Sequence, residues 1–154
     1  MVKVSTSVLN LREEDYVHSF YNLEVAKTDY FHIDVMDGKF VKNDTSKRMK
    51  EYAMALSHVS TLGLDVHLMV ENVEEYIDDY IELKPRIISF HIEAIKDNER
   101  ILNIIDDLKR NNIRVRDCIK SRYSNRKYRK IFAINSYGFS YECCSRRRWT
   151  SIYF

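Results

Sequence analysis

In the stretch "HIDVMDG", His32, Asp34 and Met36 are spaced by two, and "LDVHLMV" repeats that spacing with Asp65, His67 and Met69. Residues two apart on a β-strand point to the same face. A third stretch, "SFHIEA", brings His91 and Glu93 to the end of another apolar run. Two imidazoles and a carboxylate meeting from adjacent strands are suitable donors for one divalent metal ion. A lone strand histidine is more commonly a hydrogen-bonded core residue, and Met36 and Met69 alone read as core filler. Spacing leaves both readings open. The recurrence of the pattern on successive strands is what brings the metal site into consideration.

These residues need elements to position them. "VKVSTSVL", "YFHIDV", "LDVHLMV" and "RIISFHI" are short β-branched or apolar runs of strand character. Helical spacing fills the intervals: Tyr16, Phe20, Leu23 and Val25; Met49, Tyr52, Ala53 and Leu56; Val73, Tyr76, Ile77 and Tyr80; Ile101, Ile104, Ile105 and Leu108. Asn72 and Asp97 stand where they can cap the third and fourth helices. "IRV" at residues 113–115 starts a fifth strand. Strand and helix alternate, which predicts parallel strands covered by helices. Functional side chains in such folds gather at the carboxyl ends of the strands.

Composition breaks after Val115. Residues 1–115 hold 15 basic and 21 acidic residues, whereas residues 116–154 hold 10 basic residues and only Asp117 and Glu142 as acids. The three cysteines, Cys118, Cys143 and Cys144, and the single tryptophan also lie on the basic side. The cysteine spacing fits neither a metal cluster nor a disulfide framework. The tail shows no clean helical or strand period. No apolar run approaches the length of a membrane span, and the N-terminus has no signal-peptide pattern. A cytoplasmic location without membrane association is therefore expected.

"FHIDVMDGKFVKN" and "LDVHLMVENVEEYI", followed by "FHIEA", closely resemble the ribulose-phosphate 3-epimerases, and "SVLNL" is similar to that family's first strand. The resemblance spans about residues 4–115. Three positions depart from the family pattern: Asn10 stands where Ser is usual, Lys42 where Pro is, and Asp44 where Ile is. The last two imply a divergent loop after the second strand. The resemblance implies an α/β fold, the N-terminal part of a (β/α)₈ barrel, with residues 1–115 supplying four strand–helix units and part of a fifth strand. It implies an isomerase of carbohydrate metabolism, in the pentose phosphate pathway, interconverting ribulose 5-phosphate and xylulose 5-phosphate. It also implies one divalent metal ion (Zn, Fe, Mn or Co) held by two His and two Asp. His32, Asp34 and His67 match three of those ligands. Asp34 matches one of two acid/base carboxylates, Ser7 and His67 match substrate-binding positions, and Met36 and Met69 match residues lining the metal site. The second catalytic Asp and the phosphate-binding glycines have no match: the only glycines are Gly38, Gly63 and Gly138.

The genetic code offers a reason for the break. With permitted codons, "YGFSYECCSRRRWTSIY" read one base later becomes "MVLVMSVVAGEGGQAYI", which resembles the family's sixth-strand motif, "VLVMSVxPGFGGQ". The same shift turns "CIKSRYSNRKYRKIF" into "ALNPDTPIENIEKYL", similar to the segment after strand five. Residues 116–154 are therefore expected to be an out-of-frame reading rather than a domain, forming an irregular tail, and this chain as written is expected to be inactive. The expected partner is a ketose phosphate, with allulose 6-phosphate as the alternative substrate. Self-association is expected from an unclosed barrel whose apolar inner faces stay partly wet. Two readings of a different class are a basic-tailed module binding nucleic acid and a half-barrel that folds by dimerising without turnover. A nucleic-acid partner is not expected, since the tail lacks a periodic basic face.

Overall fold

The computed structural model describes residues 2–120 and 142–144, with side chains up to residue 116. Strands and helices alternate: β1 (Ser5–Ser7), α1 (Tyr16–Val25), β2 (Tyr30–Met36), α2 (Ser46–Val59), β3 (Gly63–Met69), α3 (Val73–Ile81), β4 (Ile87–His91), α4 (Asn98–Arg110) and β5 (Arg114–Lys120). A short β6 (Glu142–Cys144) follows. All neighbouring strands pair in parallel, in chain order from β1 to β6. Sequential parallel strands with a helix between each of the first five make up the N-terminal part of a (β/α)₈ barrel.

The sheet has two unlike faces. Phe31, Ile33 and Val35 of β2, Leu64, Val66 and Leu68 of β3, and Ile88 and Phe90 of β4 belong to the main hydrophobic core. The helices contribute the stripes that their periodicity requires: Met49, Tyr52, Ala53 and Leu56 from α2; Val73, Ile77 and Tyr80 from α3; Ile101, Ile104, Ile105 and Leu108 from α4. From α1 only Phe20 is buried, and Val25 is 59% exposed. Val25 is the last residue of that helix, where the apolar spacing has already left the core-facing side.

The polar residues of the opposite face are Ser5, Ser7, His32, Asp34, Asp65, His67, Ser89, His91 and Arg116. The expected wet apolar inner face is thus not what the strands present. In a parallel strand the residues that alternate with the core set face the barrel interior, and here that alternating set is mostly polar, with Met36, Met69 and Ile87 as buried apolar members.

Helix ends are settled locally. Asp97 caps α4, its side chain accepting from Glu99 N at 2.9 Å. Asn72 occupies the corresponding position of α3 but makes no side-chain cap; its amide instead donates to Glu75 Oε2 at 3.3 Å. Lys27, Lys84 and Asn112 adopt positive φ of 67°, 49° and 58° just beyond α1, α3 and α4, turning the chain back towards the next strand.

The fifth strand is longer than the 113–115 start suggests, since β5 pairs with β4 from Ile87↔Arg114 to His91↔Cys118. The open edge of β4 offers backbone donors and acceptors to whatever side chains follow, so pairing continues past the composition break. The remainder of the tail, residues 121–141 and 145–154, lies outside the described residues.

Candidate active site

Register brings the polar residues together. His32 pairs with Asp65, Asp34 with His67 and Met36 with Met69 across β2 and β3, while Ser7 of β1 pairs with His32. The two motifs therefore sit side by side at the carboxyl ends of their strands.

Asp34 lies at the centre. Its Oδ2 accepts from Ser7 Oγ at 2.7 Å. Its Oδ1 is 3.2 Å from His32 Nε2 and 3.5 Å from His67 Nδ1. Asp34 is 3% exposed and His67 1% exposed. Oδ1 is buried and has no hydrogen bond of good geometry, so its charge depends on a positive neighbour, either a protonated His32 or a cation. His32, Asp34 and His67 each offer one donor atom within 4.8 Å of the others. Two imidazole nitrogens flanking one buried carboxylate oxygen suit a divalent cation. The residues present therefore fit a divalent metal ion, with His32, Asp34 and His67 each able to offer it one donor atom. Met36 and Met69, each 8% exposed, are buried beside these groups at the strand ends and lie outside the main core.

Three residues at the site were visible in sequence only as spacing. Asp65 Oδ2 lies 3.2 Å from His32 Nδ1, accepts from Ser5 Oγ at 2.8 Å and takes Arg116 Nη1 at 3.3 Å. His91 Nε2 is 3.2 Å from His67 Nε2, and its Nδ1 is 3.5 Å from Glu93 Oε2. The signal for Asp65 was its parity with His67; its partner on β2 follows from register, which spacing does not supply. Glu93 lies not on β4 but in the 3₁₀ turn Ile92–Ala94 that follows it.

The loop after β2 folds over this end of the sheet. Asp37 ties it down, Oδ1 accepting from the backbone of Lys39 and Phe40 and Oδ2 from Glu71 N. Gly38 takes φ 72°, which a side chain would strain. The Phe40 ring lies 5.2 Å from the His91 ring. Asp44, one of the departures in this loop, accepts from Ser46 N and Oγ at the start of α2. The substitution thus supplies the helix entrance with a polar turn.

In the metal-free site, burial alone would push the His32 imidazolium down. Hydrogen bonds and charge from Asp34 and Asp65 outweigh that and raise its pKa to about 10. Burial works against Asp34 and Asp65 as well, yet the His32 partnership holds both below the usual 3.8. The raised histidine stabilises the fold fully below its ordinary 6.5, and that stabilisation is lost as pH rises through about 10. The lowered carboxylates contribute above about 4 and lose their contribution as pH falls through their folded values. With chelator present, the thermal midpoint should therefore peak between about pH 4 and pH 6.5 and fall towards pH 9. His32→Gln should flatten the alkaline decline. A wild-type profile that is level over that range would contradict the pairing.

Among the described residues no helix is long and apolar enough to cross a membrane. Comparison with known proteins agrees with the geometry. Ribulose-phosphate 3-epimerase of Helicobacter pylori is 38% identical over 108 residues, covering 70% of this chain and 48% of that protein. The Methanocaldococcus jannaschii enzyme of the same name is 36% identical over 118 residues, covering 70% and 44% respectively. That of Bacillus subtilis is 35% identical over 107 residues, covering 70% and 48%. The chain thus spans about half the length of the curated relatives it matches. The family model described as the ribulose-phosphate 3 epimerase family matches residues 3–121, and with the parallel β/α architecture and the His32–Asp34–His67 cluster this establishes that the chain belongs to that family, whose members are isomerases.

Proposed function

We propose that residues 1–115 supply the metal-binding and first acid/base half of a site that epimerises ribulose 5-phosphate to xylulose 5-phosphate. The observation that carries this is Asp34: buried, with Oδ1 set between ring nitrogens of His32 and His67 at a strand end. Epimerisation next to a ketone removes a proton from one face and returns one to the other. Asp34 Oδ2, oriented by Ser7, is the group that takes or returns the proton on one face. Ser7 and His67 hold the substrate's polar groups beside it, and Met36 and Met69 keep water away. A divalent ion, Zn, Fe, Mn or Co, held by His32, Asp34 and His67, would supply positive charge to substrate oxygens that gain electrons.

The opposite carboxylate and a glycine-rich phosphate site have no counterpart in this sequence. Residues 116–154 are, on this reading, an out-of-frame product of an epimerase gene. The family match ending at residue 121 lies close to the break in composition. The nucleotide sequence around codon 116 decides it: a one-base change must restore an open frame through the glycine-rich motif. Activity then follows the frame, and the 154-residue chain itself should give no turnover above background. Among the described residues β1 and β6 end the sheet, and edges of this kind favour self-association; sedimentation showing only monomer at all concentrations would count against that part. A ketose phosphate other than ribulose 5-phosphate, such as allulose 6-phosphate, is the second reading, favoured by the altered loop at Lys42 and Asp44, and parallel assays on both substrates separate the two.

A further inference from the structure

Two buried carboxylates outside the metal-facing trio stand directly behind it. Asp65 is fully buried, and its Oδ2 faces His32 Nδ1 at 3.2 Å. On the other side, His67 Nε2 faces His91 Nε2 at 3.2 Å, and His91 Nδ1 faces Glu93 Oε2 at 3.5 Å. The nitrogens turned towards Asp34 Oδ1 are the other ones, His32 Nε2 and His67 Nδ1.

A neutral imidazole carries one proton, and the nitrogen that binds a cation cannot be the one that holds it. If His67 Nδ1 faces the cation, its proton sits on Nε2. His91 Nε2 must then accept, because two imidazole nitrogens 3.2 Å apart share one proton, not two. His91 therefore keeps its own proton on Nδ1, 3.5 Å from Glu93 Oε2, a separation at which the carboxylate acts on it by charge and not through a hydrogen bond. On the His32 side the same logic puts the proton on Nδ1, donated to Asp65. Ser5 and Arg116 orient that carboxylate by binding the same oxygen.

We infer that Asp65 and Glu93 are positioning residues that set which nitrogen each histidine turns inward, Asp65 acting on His32 directly and Glu93 acting on His67 through His91. The inference rests on the metal-binding reading above. Outer partners of this kind orient the ligand ring, raise its basicity, and change metal affinity by about 10–100-fold when removed.

The test uses the full 154-residue chain and zinc alone. Long-range ¹⁵N–¹H spectra of the zinc-loaded protein should show the ring proton on Nδ1 of His32, on Nε2 of His67 and on Nδ1 of His91. Asp65→Asn and Glu93→Gln, nearly isosteric changes, should each weaken zinc binding by about tenfold or more. The Glu93 variant should also redistribute the His91 proton. The opposite proton placement on either His32 or His67, or variants that bind zinc within about threefold of the parent, overturns the inference while leaving the metal site standing. A parent chain that binds no zinc overturns both. Should a variant fail to fold, the parent spectrum alone decides, since it needs no substitution.

Discussion

A chain whose reading frame is restored at codon 116 is expected to epimerise ribulose 5-phosphate, and Asp34→Asn in that restored chain is expected to abolish turnover. Asparagine preserves the shape of the side chain and its contact with Ser7 but cannot accept the substrate's proton. Loss of a positioned acid/base group costs about 10²–10⁴ in rate. Asp34 would also be a metal ligand, so the loss should reach or exceed the upper end of that range. A coupled assay for xylulose 5-phosphate measures it. The 154-residue chain should sit at background, because no carboxylate matches the opposite face and orientation of the phosphate is lost as well. Solvent deuterium entering carbon 3 without net epimerisation would still agree with an intact first half. Activity of the unrepaired chain within about tenfold of the restored one would mean that the tail supplies the second acid.

His67→Ala is expected to remove most divalent-metal binding by the 154-residue chain. Three protein ligands leave a fourth position to water, so affinity starts below that of a complete barrel and has little reserve. Deleting one of two imidazoles should lower it by more than about a hundredfold, beyond what loss of an outer partner costs. His67 is 1% exposed and lies against Asp34 and His91, so the substitution also leaves a cavity. His67→Gln, which fills more of that space, separates the two effects. If metal content per chain is unchanged in both variants, His67 is not a ligand.

Much of the fold is legible in the sequence. The faces of α2, α3 and α4 followed from spacing alone, because apolar residues at helical period have one way to be buried against a sheet. That His32 shares a face with Asp34, and Asp65 with His67, was legible because period two assigns a face whatever the strand's neighbours are. Parity does not reveal register, however. Which carboxylate stands behind which histidine depends on the offset between strands, and so the Asp65–His32 and His91–His67 contacts were not. The expectation of a partly wet apolar inner face came from counting strands in an unclosed barrel, whereas the alternate residues of these strands that face the interior are mostly polar and belong to the site. Asn72 looked like a cap by type and position but turned its amide to Glu75. The extension of β5 to Lys120 depended on the open edge of β4, a property of the sheet and not of the segment's own pattern.

The central claim is that His32, Asp34 and His67 converge on one cation. X-ray absorption at the metal edge of the zinc- or cobalt-loaded 154-residue chain tests it most directly, because it reads the ligands themselves and does not depend on turnover or on the tail. A four-coordinate shell containing two imidazoles is expected, with one imidazole's scattering lost in His67→Gln. A shell of oxygens alone, unchanged by that substitution, would contradict it.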